Sequence, residues 1–356
     1  MNSRKALATG ILLAVFATLI GGGLLASKLL SPAQSDSKLK IVIDVSRRQS
    51  PKEIAKILES KGIVRSASDF FWAGKITRRW GRLKAGEYEV SPSMTPLELL
   101  SILTSGISVN HPITVREGEN MYEIATDLGT KTLASAERFL ELCKDTKFML
   151  TLGFTAPLPP TLEGYLFPDT YFINRTMSPE DIVRSMVKHA NAIWGPKEAE
   201  RAKALGLTRH QVVTLASVIE KETGAPQERP MISSVFHNRL KKRMRLQSDP
   251  TTIYGIWEHY DGNIHRSDLL AKNDYNTYSV PALPIGAISN PGREAIQAAL
   301  FPAESEFLFF VSHNDGTHEF TRTFGDHTAA VKKFQVDPKA REGKSWRDLK
   351  KTSATK

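Results

Sequence analysis

The sequence predicts an α+β protein: an N-terminal transmembrane helix, small α+β modules, then a mixed α+β domain around one buried helix. Three observations carry this. Between Lys5 and Lys28 the chain is uncharged and mostly apolar, about the ~20 residues a membrane-crossing helix needs. An alternating strand followed by a capped helix then occurs three times, the pattern of helices packed on a sheet. Finally, Leu207 to Gly224 reads as a helix with apolar residues almost all round it, which marks a buried helix.

The chain has 356 residues, room for two or three compact units, and a formal net charge of +10. That charge suits acidic partners such as anionic lipid or cell-wall carboxylates. Its basic residues are spread out and no zinc-finger, RNP or helix-turn-helix signature occurs, which argues against nucleic acid. A single cysteine, Cys143, excludes an intrachain disulfide.

Arg4, Lys5 and the terminal amine precede the apolar run and place the N-terminus in the cytoplasm. The alternative is a cleaved signal peptide, but the apolar run is long for one and no clean A-x-A site follows. SPAQSDSK (31–38) is a polar linker. Each strand–helix unit then opens its helix with a capping box: Ser50 with Glu53, Thr95 with Glu98, Asn120 with Glu123. Residues 133–150 read as one helix with Cys143 on its buried side. TLEGYLFPDTYFI (161–173) is aromatic and irregular, and helices are expected from Ser178 toward Trp194 and over KEAERAKAL.

The chemistry concentrates between Leu207 and Thr251. Thr208 and Gln211 form a capping box at the start of the central helix, and Gly224 suits its left-handed C′ position. Glu220 and Glu222 sit in the last turn, where the helix dipole and burial both raise a carboxyl pKa. At about 100° per residue they point to opposite faces, so they cannot act as a hydrolase's carboxylate pair, but either is a candidate general acid. VFHNRL and LQSDPT add His237, Asn238, Arg239, Gln247, Ser248 and Asp249, with Asp249-Pro250 capping a short helix through Tyr254. A long loop carries YNTY (275–278) and LPIGAISNPG (283–292), with Asn290 opening the next helix. A hairpin and a helix capped by Asp326 close the domain. His318-Glu319 begins an HExxH-like run, but its fifth position is Arg322 and the segment reads as a strand, so no metal site is expected. No nucleophile elbow, P-loop or dinucleotide-binding glycine run occurs, and no cofactor is expected.

SVIEKETG, VFHNRLKKRMRLQSDPTTIYG, DYNTY, EGYLFPDTY and the LP..AISNPG run closely resemble the YceG-like family of endolytic murein transglycosylases, in the family's order and over nearly the whole chain. VREGENMYEIATDLG resembles the opening of a LysM module, which either binds sugar or serves as scaffold. The resemblance implies a cytoplasmic N-terminus at 1–5, a single-pass membrane helix at 6–27, a linker at 28–38, a LysM-like α+β region at 39–130, a catalytic domain at 131–336 and a basic tail at 337–356. It implies Glu220 as the catalytic acid, near the C-terminus of the buried helix, and puts Asn238, Arg239, Gln247, Asp249, Tyr254, Asn276 and Tyr278 in the substrate cleft. Arg239 is alternatively a structural partner of Glu222 or Asp249. Glu163 and Tyr165 are expected on the substrate, unless this aromatic stretch is core. Ile285 and the absence of Ser-Pro before DYNTY depart from the family's pattern and affect loop shape.

The implied activity is lytic cleavage of the MurNAc–GlcNAc bond of nascent glycan strands at the outer face of the cytoplasmic (inner) membrane. One acid that becomes a base suffices, giving 1,6-anhydroMurNAc ends and ending strand elongation. The implied partners are peptidoglycan strands, peptidoglycan synthases and the membrane. The alternatives are a non-catalytic peptidoglycan-binding scaffold and a hydrolytic muramidase, which would need a second carboxylate.

Overall fold

The computed structural model describes residues 2–337. The chain forms two compact units: one runs to Pro112 and adds Phe172–Ser178, and the other comprises Ile113–Tyr171 and the chain from Pro179 onward. The expected boundary at 130 therefore falls later than the division itself, and the third strand–helix unit lies mostly in the second unit.

The first unit begins with α1 (Asn2–Leu30), followed by β1 (Ile41–Val45), α2 (Pro51–Ser60), α3 (Ala67–Ile76), β2 (Gly86–Val90), α4 (Pro96–Ser105) and the start of β3 (His111–Thr114). The boxes at Ser50/Glu53 and Thr95/Glu98 form as expected. β1 and β2 pair antiparallel with Ile43 opposite Tyr88, and Ile43, Val45, Tyr88 and Val90 are buried with Leu58, Leu99, Leu100 and Leu103. Each such aliphatic burial contributes about 1.5–3 kcal/mol. Among the described residues no helix is long and apolar enough to cross a membrane; many α1 side chains lie outside the described set.

The second unit continues with α5 (Met121–Thr130), α6 (Ala136–Lys144), α7 (Thr146–Thr151), β4 (Thr170–Ile173), α8 (Pro179–Ala192), α9 (Pro196–Ala204), α10 (Arg209–Glu222), α11 (Arg229–Lys241), α12 (Asp249–Gly255), α13 (Arg266–Leu270), α14 (Arg293–Leu300), β5 (Phe309–Ser312), β6 (His318–Thr321) and α15 (Phe324–Val331). Asn120 and Glu123 cap α5 as expected. The helix expected over 133–150 is two, because Asp145 is extended and its side chain caps α7 through the Lys147 and Phe148 amides. The end of the irregular 161–173 stretch forms β4, which pairs with β3.

α10 is the centre of this unit. Thr208 and Gln211 cap it, and every residue from Val212 to Ile219 is buried, packed with Ile232, Phe236, Ile288 and Ala295–Leu300 residues. Its end differs from expectation: Thr223 is the C-cap in an extended conformation, and Gly224 is required for contact instead. A Cβ there would meet the Gly316 carbonyl oxygen at 2.5 Å, in the β5–β6 turn. Three other caps also move. Ser248, not Asp249, is the N-cap of α12; Gly292, not Asn290, precedes α14; and Thr323 caps α15 with Asp326 in its first turn. The tail from residue 338 onward lies outside the described residues.

Candidate active site

The last turn of α10 sends its two glutamates into different surroundings. Glu220 is closed in: Oε1 accepts from Arg229 Nη2 at 2.8 Å, Oε2 accepts from the Gly292 amide at 2.9 Å, and its side chain is 6% exposed. Arg229 also reaches Glu117 at 3.5 Å. Glu117 lies so close to Gly292 that a Cβ there would meet its carboxylate at 1.9 Å. Burial first, then the Glu220 charge, push the Glu117 carboxyl up. Lys221 ties the same turn to the Gly118 carbonyl at 3.2 Å. Glu220 thus works as an ion-paired joint between α10, α11 and the start of α14.

Glu222 faces the other way, into a cavity of about 400 Å³ lined by Gln247, Asp249, Tyr278, Phe309, Phe324 and His327 among others. Ser248 Oγ donates to its Oε1 at 2.5 Å. Burial pushes the Glu222 carboxyl up to about 7, and the Asp249 charge adds to this, while the Ser248 bond and the Arg239 charge act in the opposite direction. Asp249 is exposed and accepts from the Tyr278 hydroxyl at 2.7 Å. The cavity therefore combines a carboxyl poised near neutrality, a second carboxylate held by a phenol, and aromatic walls suited to the C–H faces of sugars. Of the two glutamates the helix offers, Glu222 opens on this cavity and Glu220, the expected acid, is closed in by Arg229 and the Gly292 amide.

Four of the expected cleft residues meet around this cavity: Gln247, Asp249, Tyr278 and Arg239. Gln247 is exposed and holds φ at 52°, a left-handed conformation that costs a bulky residue on the order of 1–3 kcal/mol and is concentrated at functional sites. Arg239 is buried and gives its donors to the Leu308 and Leu246 carbonyls, at 2.6 Å each, rather than to Glu222 or Asp249. It also lies over the Phe309 ring at 5.2 Å, so it builds the wall.

The other expected contacts are braces. Asn238 donates to the Ser305 and Phe307 carbonyls. Asn276, 1% exposed, donates to the Asp268, Leu269 and Ala271 carbonyls and accepts from Thr252. Tyr254 is buried beside Tyr275 and Glu163. Glu163 is fully buried, accepts from the Met121 amide and Asn290 Nδ2, and is pushed by burial to about 8. Asn290 in turn accepts the Gly164 and Leu166 amides and donates to the Glu119 carbonyl. Tyr165 is buried between Phe154 and His210, with Arg209 over its ring. Glu163, Asn276 and Asn290 thus spend their polar atoms inside the domain.

Sequence reasoning missed Arg229, Glu117, Phe309 and Phe324, and weighed His327 only as a metal ligand. The first two lie outside the polar motif cores, and the last three come from the closing hairpin and helix, which no local pattern brings to the Glu222 cavity. Among the described residues no group of three His, Cys, Asp or Glu converges as a metal site. His318 pairs with Glu228 at 2.8 Å, His313 with Glu319 at 3.3 Å, and His327 stacks on Phe309.

Fold and site together place one carboxyl, at the end of a buried helix, on an aromatic-walled cleft. The chain belongs to the YceG-like family, whose family model matches residues 43–333. It is 34% identical over 330 residues to an endolytic murein transglycosylase of Bacillus subtilis, covering 89% of this chain and 91% of that protein. An endolytic murein transglycosylase of Streptococcus pneumoniae is 28% identical over 85% of this chain, which spans 60% of that longer protein. A 2.6 Å crystal structure of a yceG-like protein from Listeria monocytogenes superposes with a TM-score of 0.57 at 32% identity, covering 83% of this chain and all of that one.

Proposed function

We propose that the protein is a membrane-anchored endolytic murein transglycosylase in which Glu222 is the general acid and then the base. Protonated Glu222 donates to the glycosidic oxygen as the C1–oxygen bond breaks and positive charge builds on the MurNAc ring. The resulting carboxylate takes the proton of the MurNAc 6-hydroxyl, whose oxygen bonds to C1 and closes the 1,6-anhydro ring. Acid and base are one group, so no water is consumed. A carboxyl near 7 serves both steps, since neither protonation state is scarce at neutral pH.

The observation that carries this is Glu222 itself, held near neutrality on an aromatic cavity while Glu220 is sealed by Arg229. Gln247, Asp249 and Tyr278 are the side chains available to the glycan, with Asp249 and Tyr278 also fixing the cavity edge. The uncharged run between Lys5 and Lys28 supports an anchor with the catalytic unit on the outer face of the membrane. The LysM-like region and a synthase partner rest on resemblance.

The test is mass spectrometry of glycan fragments after digestion of purified peptidoglycan by wild type, Glu222→Gln and Glu220→Gln. Internal fragments with 1,6-anhydroMurNAc ends from wild type, absent with Glu222→Gln, are expected. Reducing ends would make the protein a muramidase and direct attention to Asp249 as the second carboxylate. Activity surviving in a folded Glu222→Gln but lost in a folded Glu220→Gln would return the acid role to Glu220. Binding without products from any variant would favour the scaffold.

A further inference from the structure

A second cavity, of about 570 Å³, opens at the far end of α12, lined by Tyr122, Tyr254, Trp257, Lys272, Asn273 and Tyr275 among others. Trp257 and Tyr122 stack at 6.0 Å with their planes 17° apart, and Tyr122 is tilted against Tyr254, itself edge-on to Tyr275. Four aromatic rings thus form one continuous wall. Behind it the buried Glu163 and Asn290 hold the Met121 amide and the 164–166 turn, so the wall is rigid. On the rim Lys272 is exposed, and Asn273 is fixed by its bond to the Gly255 carbonyl at 2.7 Å.

This cavity and the one at Glu222 share two elements. α12 starts with Asp249 at the first and ends with Tyr254 and Gly255 at the second, and the 272–278 segment contributes Tyr275 to one and Tyr278 to the other. Seven helical residues span about 10 Å, close to one disaccharide of a β-1,4-linked strand. An enzyme that cuts inside a strand must hold sugar beyond the bond it breaks. Rigid aromatic faces with amide and ammonium groups at the rim are what an N-acetylated sugar requires: C–H faces for stacking, hydroxyls and an acetamide for hydrogen bonds.

We infer that the Tyr122–Trp257 cavity is a distal glycan subsite, taking an N-acetylhexosamine of the same strand whose scissile bond lies at Glu222. The inference builds on the function proposed above. It makes Trp257 the stacking platform and Lys272 a rim contact, neither touching the reacting atoms.

The test uses the full chain with Glu222→Gln, titrated with N-acetylchitotetraose and followed by tryptophan fluorescence. Saturable quenching is expected, lost in Trp257→Phe and Trp257→Ala because both remove the reporter and weakened severalfold in Lys272→Ala, while calorimetry of Trp257→Ala is expected to show binding about tenfold weaker. In the otherwise wild-type chain, Lys272→Ala, an exposed change that leaves the fold intact, is expected to raise KM for long strands with kcat unaltered. Unchanged quenching and KM in Lys272→Ala and unchanged calorimetric binding in Trp257→Ala, while anhydro ends still form, would overturn the subsite alone. Normal quenching with no anhydro ends from wild type would overturn the catalytic reading alone. Quenching by free stem peptide but not by the sugar would overturn the assignment to glycan.

Discussion

Ser248, at the N-cap position of α12, gives its hydroxyl to Glu222 Oε1 at 2.5 Å and not to an α12 amide, so the start of one helix holds the carboxyl at the end of another. The bond favours the charged carboxylate. Removing it in Ser248→Ala should raise the Glu222 pKa and move the alkaline limb of the kcat/KM–pH profile upward, with kcat lowered by about tenfold or less as the acid loses its orientation. An unmoved limb would separate Glu222 from the observed titration.

Stability should carry the same signature. The Glu222 carboxyl titrates near its ordinary 4.5 when unfolded and near 7 when folded. Between those values the folded state binds more protons, so stability falls as pH rises through that window. Glu222→Gln escapes the loss. It is expected to melt higher than wild type at pH 8, by at most about 3 kcal/mol and less where water reaches the cavity, with little gain at pH 4. Thermal unfolding at the two pH values measures the difference.

Arg229 bridges Glu220 and Glu117. Arg229→Met strands Glu220 without its cation and should destabilise by about 3–5 kcal/mol. Adding Glu220→Gln should recover part of that, and a double-mutant cycle in urea reads the coupling. Additive losses would show that the pair is not coupled.

Asn290 satisfies the Gly164 and Leu166 amides from a fully buried position. Asn290→Ala leaves these donors unpaired at about 1–3 kcal/mol each. Lower stability with unchanged product chemistry is expected from the surviving folded protein.

Gly224→Ala would drive its Cβ into the Gly316 carbonyl. Because that turn leads into the hairpin carrying Phe309, the substitution should cost about 1–3 kcal/mol and raise KM. Melting and steady-state kinetics test both effects.

Much of the local architecture was legible. Capping boxes at Ser50, Thr95, Asn120 and Thr208 are short-range chemistry, and each forms. The buried character of α10 and the opposed directions of Glu220 and Glu222 follow from helical periodicity alone. Which face meets a cavity does not, because Phe309 and Phe324 arrive from some 90 residues further along the chain and Arg229 from the next helix. That Asn276 and Glu163 are bonded inside the domain is hidden for a related reason: polar residues that brace loops and polar residues that touch ligands look alike in a sequence until their bonds are counted. Gly224 shows the same limit, its small size serving a neighbour rather than a helix end.

The Glu163–Asn290 knot has a consequence for how the chain can be assembled. Asn290 fastens the Glu119 carbonyl, the 164–166 turn and Glu163, which itself holds the Met121 amide, with a side chain that is made more than 120 residues later. During synthesis those early loops stay unfastened until residue 290 emerges, so this unit closes late and as a whole. A shortened version ending before Asn290 would retain both catalytic-helix glutamates yet lack the clasp that shapes the ground beneath them.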